Sequence, residues 1–292
     1  MAEGQSHIDP KTGKSTTGHE WDGIQELNTP LPRWWLWTFY ACILYAFGYW
    51  VVYPAWPLKD SNTEGLTGWH ARSAIVQDMA DLKTLRAPST AKLEAASLED
   101  IEKTPELLTI ARAQGSALFA NNCAPCHGAG GGGAKGFPNL NADRWLWGGA
   151  LKEINYTITH GARWLDDPDT RISLMPSFGK DGILKQPEIQ ATANYVRSLS
   201  GLSTEAGADL TLGKKIFADN CAACHGDDGK GNKEMGAPNL TTKVWLYGPE
   251  LSDIVNRITV GGGGQMPAWG LKLNAEEIKA LTVFVHSLGG GQ

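Results

Sequence analysis

The pentapeptides Cys123-Ala124-Pro125-Cys126-His127 and Cys221-Ala222-Ala223-Cys224-His225 constrain this 292-residue chain more than any other feature. A Cys-x-x-Cys-His run is a haem attachment signature. Two intervening residues let both sulfurs form thioethers at one porphyrin edge, and the adjacent histidine falls under the iron as its proximal ligand. The two copies stand 98 positions apart in similar surroundings. Cys-x-x-Cys pairs also build four-cysteine zinc sites. That reading leaves both histidines without a role and needs an unusually long insert. Two covalently bound haems c are therefore expected, held by Cys123 and Cys126 and by Cys221 and Cys224, with His127 and His225 as iron ligands.

A formal charge of −5 argues against a nucleic-acid partner, which calls for a basic surface. The fifth cysteine, Cys42, lies in an apolar stretch and reads as a small hydrophobe. Residues 34–53 hold no Asp, Glu, Lys, Arg or His over 20 positions, enough for a helix across a bilayer. Trp34, Trp35 and Trp37 stand at one end, with Tyr49, Trp50, Tyr53 and Trp56 at the other, as interfacial aromatics do. Pro32 precedes the span, and Pro54 and Pro57 end it. A polar segment of about 33 residues comes first, unlike a cleaved signal peptide, so this is an uncleaved anchor. A span without ionisable groups is not a proton path.

Residues 1–33 form an N-terminal segment whose first 17 or so residues are expected as a disordered tail. Residues 54–108 are a helical connector. In it Ile75, Met79 and Leu82 share one face of an amphipathic helix, with Met79 a packing residue, and Ala87-Pro88-Ser89 is expected to break that helix. Two short helical pieces follow over 98–114, the second beginning at Thr104-Pro105-Glu106 with proline in its first turn.

The rest is a repeat, 109–203 followed by 204–292. Leu118-Phe119-Ala120-Asn121-Asn122 matches Ile216-Phe217-Ala218-Asp219-Asn220, and Pro138-Asn139-Leu140 matches Pro238-Asn239-Leu240. Trp145-Leu146-Trp147-Gly148 matches Trp245-Leu246-Tyr247-Gly248. Met175-Pro176 matches Met266-Pro267, and Tyr195-Val196-Arg197-Ser198-Leu199 matches Phe284-Val285-His286-Ser287-Leu288. The first copy carries an extra acidic stretch, 162–170, and Ser203-Thr204-Glu205-Ala206-Gly207 reads as the linker. The glycine-rich run after His127 lacks the preceding strand and Gly-Lys-Ser/Thr ending of a phosphate loop.

This order of motifs resembles class I c-type cytochromes over both copies. The resemblance implies an all-α fold, with one N-terminal transmembrane helix before two tandem domains. It places Gly115 and Gly213 where the first and last helices cross, with Tyr195 and Phe284 as their aromatic partners. It makes Met175 and Met266 the distal iron ligands, with Pro138 and Pro238 holding the histidines through their carbonyls. Each methionine is expected to serve its own copy; an exchange of loops between copies stays open. Met235, His160, His286, His70, His19 and His7 are read as structural or surface residues. Two six-coordinate irons transfer electrons and perform no substrate chemistry, so no catalytic residue is assigned.

The N-terminal third narrows the family. His19-Glu20-Trp21-Asp22-Gly23-Ile24-Gln25-Glu26-Leu27-Asn28 leads into Pro30-Leu31-Pro32-Arg33-Trp34-Trp35, and Tyr49-Trp50-Val51-Val52-Tyr53-Pro54-Ala55-Trp56-Pro57 closes the span. Joined to two class I haem domains, this resembles subunit III, the P subunit, of cbb3-type cytochrome c oxidases. The resemblance implies a dihaem relay from a donor cytochrome c to a monohaem subunit, and thence to the haem–copper centre of a catalytic subunit. Oxygen reduction and proton pumping belong to that subunit. The implied site is the bacterial inner membrane, crossed once, with the N-terminus cytoplasmic and the haem domains periplasmic. A free membrane-anchored dihaem carrier is the alternative of a second class, and a dihaem peroxidase or gas sensor a third. The third needs a five-coordinate iron, against which the matched Met-Pro pairs argue.

Overall fold

A computed structural model describes residues 6–289. The chain divides into two units, 1–85 and 86–292.

The first unit opens with an antiparallel hairpin, β1 (Thr16–Trp21) and β2 (Ile24–Leu27). Asp22 and Gly23 turn it, both with positive φ, at 52° and 83°. Asp-Gly is a pair that accepts this mirror-image turn, whose twist matches that of the strands. The hairpin is an addition to the all-α expectation. The expected tail is also corrected. Residues 1–5 lie outside the described residues, but 6–15 form a turn in which the Thr12 hydroxyl donates to Asp9 at 2.6 Å, and Ile8 bridges to Ser15.

The span is α1 (Arg33–Val52), none of whose residues is buried within the chain. At its C-terminal end, carbonyls without helical partners need donors. The Leu66 N–H reaches Val51 O at 3.0 Å, and the Thr67 N–H and hydroxyl reach Val52 O at 3.1 and 2.9 Å.

Next comes α2 (Ala71–Ala95), which runs through Pro88 instead of stopping there. Proline's fixed φ suits a helix; the cost is one lost hydrogen bond and a clash with the carbonyl four residues back. Here the proline is exposed, so water satisfies what the helix loses. Beyond it, Leu93 is fully buried, and the Lys279 ammonium donates to the carbonyls of Leu93, Glu94 and Ala96 at 3.3, 2.7 and 2.7 Å. Met79 on the same helix is 61% exposed and lies outside the apolar core clusters of the described residues.

The second unit continues with α3 (Leu98–Lys103), capped by Ser97, and α4 (Pro105–Asn122), with proline in its first turn as expected. There follow α5 (Ala124–His127), α6 (Leu151–His160), α7 (Gln186–Leu199), α8 (Leu210–Asn220), α9 (Ala222–His225) and α10 (Leu251–Val260). A 3-10 turn (Trp269–Leu271) and α11 (Ala275–His286) complete it.

The first and last helices of each repeat pair across the repeats. Helix α4 of the first copy packs on α11 of the second, and α8 of the second packs on α7 of the first. Each crossing turns on a glycine. A Cβ on Gly115 would strike the Ala280 carbonyl and come within 2.6 Å of Phe284 Cβ. A Cβ on Gly213 would strike the Ala191 carbonyl and come within 2.9 Å of Tyr195 Cβ. The aromatic partners are crossed likewise, Phe119 with Phe284 at 5.3 Å and Tyr195 with Phe217 at 5.5 Å. The division at 203/204 therefore separates sequence repeats, while each apolar core draws on both.

Candidate haem sites

Each Cys-x-x-Cys-His run forms a single helical turn, α5 or α9, entered from α4 or α8. One turn puts positions i, i+3 and i+4 on a common face, so Cys123, Cys126 and His127 converge, as do Cys221, Cys224 and His225. Gly128 and Gly226, both at φ 78°, end these turns in a conformation side chains avoid. The loop then folds back. The Gly133 N–H bonds His127 O at 2.7 Å, and the Gly231 N–H bonds His225 O at 2.7 Å. This return brings the Pro138 carbonyl to 3.0 Å from His127 Nδ1, and the Pro238 carbonyl to 3.0 Å from His225 Nδ1.

A carbonyl only accepts, so Nδ1 carries the proton and Nε2 keeps its lone pair free for a metal. Burial holds both imidazoles below their ordinary pKa, with the proline carbonyl pulling weakly the other way. The neutral ligand form is thereby favoured.

The thiols separate the haem from the zinc reading. Burial, and then the neighbouring Cys126 or Cys224, pushes the Cys123 and Cys221 thiols up to about 11. Zinc needs thiolates, and an apolar wall that opposes them suits an uncharged thioether sulfur. Nor do the two cysteine pairs share a centre. Among the described residues, the one tight His/Cys/acid cluster is His160, Asp167 and Asp169.

Most of the rest of each site is apolar, although Arg163, Tyr247, Asp253 and Arg257 also line the cavity of the second. Met175, Cys221, Cys224, His225, Trp245 and Ile254 line one cavity. Around the other run, Cys123, Ala124, Leu140, Trp145 and Met266 pack on Phe119, Ile154 and Ile158. The structure thus brings all eight predicted residues into two groups of four, with the methionines crossed between copies.

Two candidate site residues were passed over in the sequence. The indole Nε1 atoms of Trp145 and Trp245 are buried with no hydrogen-bond partner. A buried donor left unmade costs about 1–3 kcal/mol. Its occurrence at the same place in both repeats fits an acceptor on a bound group, as a haem's carboxylates provide. The repeated Trp-Leu-x-Gly was the available signal.

The competing ligands are otherwise engaged. His160 Nδ1 lies 3.1 Å from the buried Asp167 carboxylate, and His286 lies 2.6 Å from Glu102. Met235 lines the same cavity as Met175 and His225 but is 39% exposed.

Comparison with known proteins agrees from end to end. The N-terminal domain of cytochrome oxidase-cbb3, FixP, matches residues 13–60; cytochrome c matches 112–200; and cytochrome c oxidase, cbb3-type, subunit III matches 208–285. The cbb3-type cytochrome c oxidase subunit FixP of Azorhizobium caulinodans is 60% identical over 285 residues, covering 98% of this chain and 96% of the relative. The chain belongs to the FixP/CcoP family of cbb3-type cytochrome c oxidase subunits. FixP of Bradyrhizobium diazoefficiens is 58% identical over 287 residues, covering 98% and 99% of the two chains. CcoP of Cereibacter sphaeroides is 45% identical over 277 residues, covering 95% of each. As a FixP/CcoP subunit, the chain is part of an oxidoreductase complex, works beside its other subunits, and carries two cytochrome c domains that bind c-type haem.

Proposed function

We propose that this subunit is a membrane-anchored two-haem relay. It takes electrons from a donor cytochrome c and passes them through two covalently attached haems to the monohaem subunit. From there they reach the haem–copper centre, where oxygen is reduced and protons are pumped. Each haem, when bound, supplies an iron that cycles by one electron.

Cys123 and Cys126, with Cys221 and Cys224, attach the two groups. His127 and His225 offer Nε2 to the iron, oriented by the proline carbonyls, a bond that fixes the ring and raises its basicity. Met175 and Met266 would supply thioether ligands to the irons, which would raise the potential and leave small ligands no open position. One observation carries this reading: two sites, each combining a neutral, carbonyl-oriented histidine with a methionine in an apolar wall. A methionine available to each iron leaves no open position, so the sites suit electron transfer rather than peroxidase chemistry.

The span, with no Asp, Glu, Lys, Arg or His beyond Arg33 at its start, anchors the subunit and leaves proton movement to its partners. Bacteria attach haem c outside the inner membrane, so the second unit lies in the periplasm and the hairpin in the cytoplasm.

A haem-stained denaturing gel run beside a native-gel activity stain tests the proposal. A haem-positive band of about 31.5 kDa that travels with b-type haem and oxygen consumption supports it. The same band travelling alone, with two haems c and no oxygen uptake, favours the free carrier.

A further inference from the structure

We infer that the start of α2 lies in the boundary between lipid headgroups and acyl chains, with Ile75, Val76 and Met79 turned into the bilayer. The inference goes beyond the relay and rests on the reading of α1 as the membrane anchor.

The chain does not leave the span freely. The rings of Trp50 and Trp56 meet at 4.7 Å, and those of Tyr53 and Trp69 at 6.1 Å. The Leu66 and Thr67 N–H groups reach back to the last carbonyls of α1, and a Cβ on Gly65 would come within 2.5 Å of Val52 O. Residues 54–69 are therefore folded onto the end of the span. Their large apolar side chains Trp56, Leu58, Leu66 and Trp69 are nevertheless exposed. Tryptophan, with an apolar body and one polar N–H, favours the boundary between membrane and water. Helix α2 begins at Ala71, two residues after Trp69. Its first turn thus starts at the level of the span's end.

Positions three and four apart share a face of a helix. Ile75 and Met79 follow that spacing, Leu82 continues it, and Val76 stands beside Met79. Ile75, Val76 and Met79 are exposed, and none of the three joins an apolar core cluster of the described residues. One exposed apolar side chain is ordinary; a contiguous row marks a contact surface.

The charges and the continuity with the span choose the occupant. Arg72 stands four residues before Val76, and Lys83 four after Met79, so both cations lie on the apolar side. Asp78 and Asp81 lie on the flank away from Lys83, where the Gln77 amide donates to Asp81 at 2.8 Å. The core of a protein interface is depleted of lysine. Lipid accommodates it, because the aliphatic stem lies along the acyl boundary while the ammonium reaches the phosphates. An apolar row edged by cations and continuous with a span's aromatic end therefore suits a bilayer surface.

The test reads depth along α2 in the full haem-loaded chain in nanodiscs of phosphatidylethanolamine and phosphatidylglycerol. With the four motif cysteines taken up by haem, Cys42 is the remaining native thiol. I75C, M79C, S73C and Q77C, each in a C42A chain, carry a fluorophore at exposed positions. Two quenchers are compared: aqueous iodide, and a lipid with a nitroxide near the top of its acyl chain. Labels at 75 and 79 are expected to lose most of their emission to the nitroxide lipid and little to iodide, with the reverse at 73 and 77. Iodide reaching 75 and 79 as freely as 73 and 77 would overturn the inference. Shielding of 75 and 79 from both quenchers would overturn it too, in favour of a second copy of the chain. The pattern should survive assembly with the other oxidase subunits; shielding that arises only on assembly would give the face to a partner subunit instead. A label on the native Cys42 tests the anchor separately. Iodide quenching there would defeat the reading of α1 itself, whereas a shielded Cys42 beside water-exposed 75 and 79 would defeat only the placement of α2.

Discussion

At the scale of single residues, the proximal side was written plainly in the sequence. Spacing fixes it, because a Cys-x-x-Cys-His turn brings its three ligating side chains to one face whatever surrounds it. The tryptophans were less legible. Trp145 and Trp245 were visible as a matched pair, but only their buried, unpartnered N–H groups give them a task. A carboxylate that loses a donor is more negative, which favours ferric iron. W245F is therefore expected to lower the midpoint potential of the haem at His225 in a redox titration, leaving the other haem in place. W145F should do the same at His127. Unchanged potentials in both variants would remove the tryptophans from this role.

Elements were legible where one local signal dominates, and obscure where two compete. Pro105 in the first turn of α4 is such a signal, and that helix starts where it was read but runs on to Asn122, past the short piece expected to end at 114. Asp22-Gly23 was an equally good hairpin signal, overshadowed by the polarity of its neighbours. Pro88 misled in the other direction, because tertiary contacts of Leu93 and Lys279 hold the helix beyond it. L93A is expected to cost about 2–5 kcal/mol, as buried leucines do, seen as a lower unfolding temperature of the haem domains. K279M should cost less, about 1 kcal/mol for the lost carbonyl bonds. At the crossings, G115A and G213A introduce a methyl where backbone already sits, and overpacking of this kind costs about 1–3 kcal/mol. Thermal melts followed in the haem absorption band measure both. A melt unmoved by G115A would mean that α4 and α11 do not cross there.

For the whole molecule, family and fold were readable from the order of motifs, but the pairing of halves was not. Two similar repeats present the same apolar faces, so a first helix meets an equally suitable last helix in either copy. What differs is connection: residues 161–185 join α6 to α7, whereas 261–274 join α10 to α11. No local pattern reveals which partner a connection reaches. Interleaving has a mechanical consequence. A protease site placed in the exposed linker 203–207 should allow cleavage without release. The two fragments then stay together on native gels and separate in denaturant; spontaneous separation would mean that each repeat folds by itself.

The relay itself is tested most directly by donor-driven oxygen uptake in purified complexes that keep one haem of this subunit. The account predicts that C123A/C126A and C221A/C224A complexes retain full b-type haem content, yet each loses at least about 1.4 kcal/mol worth of rate, tenfold, with the cytochrome donor. Undiminished uptake by either complex would contradict a path that runs through both haems.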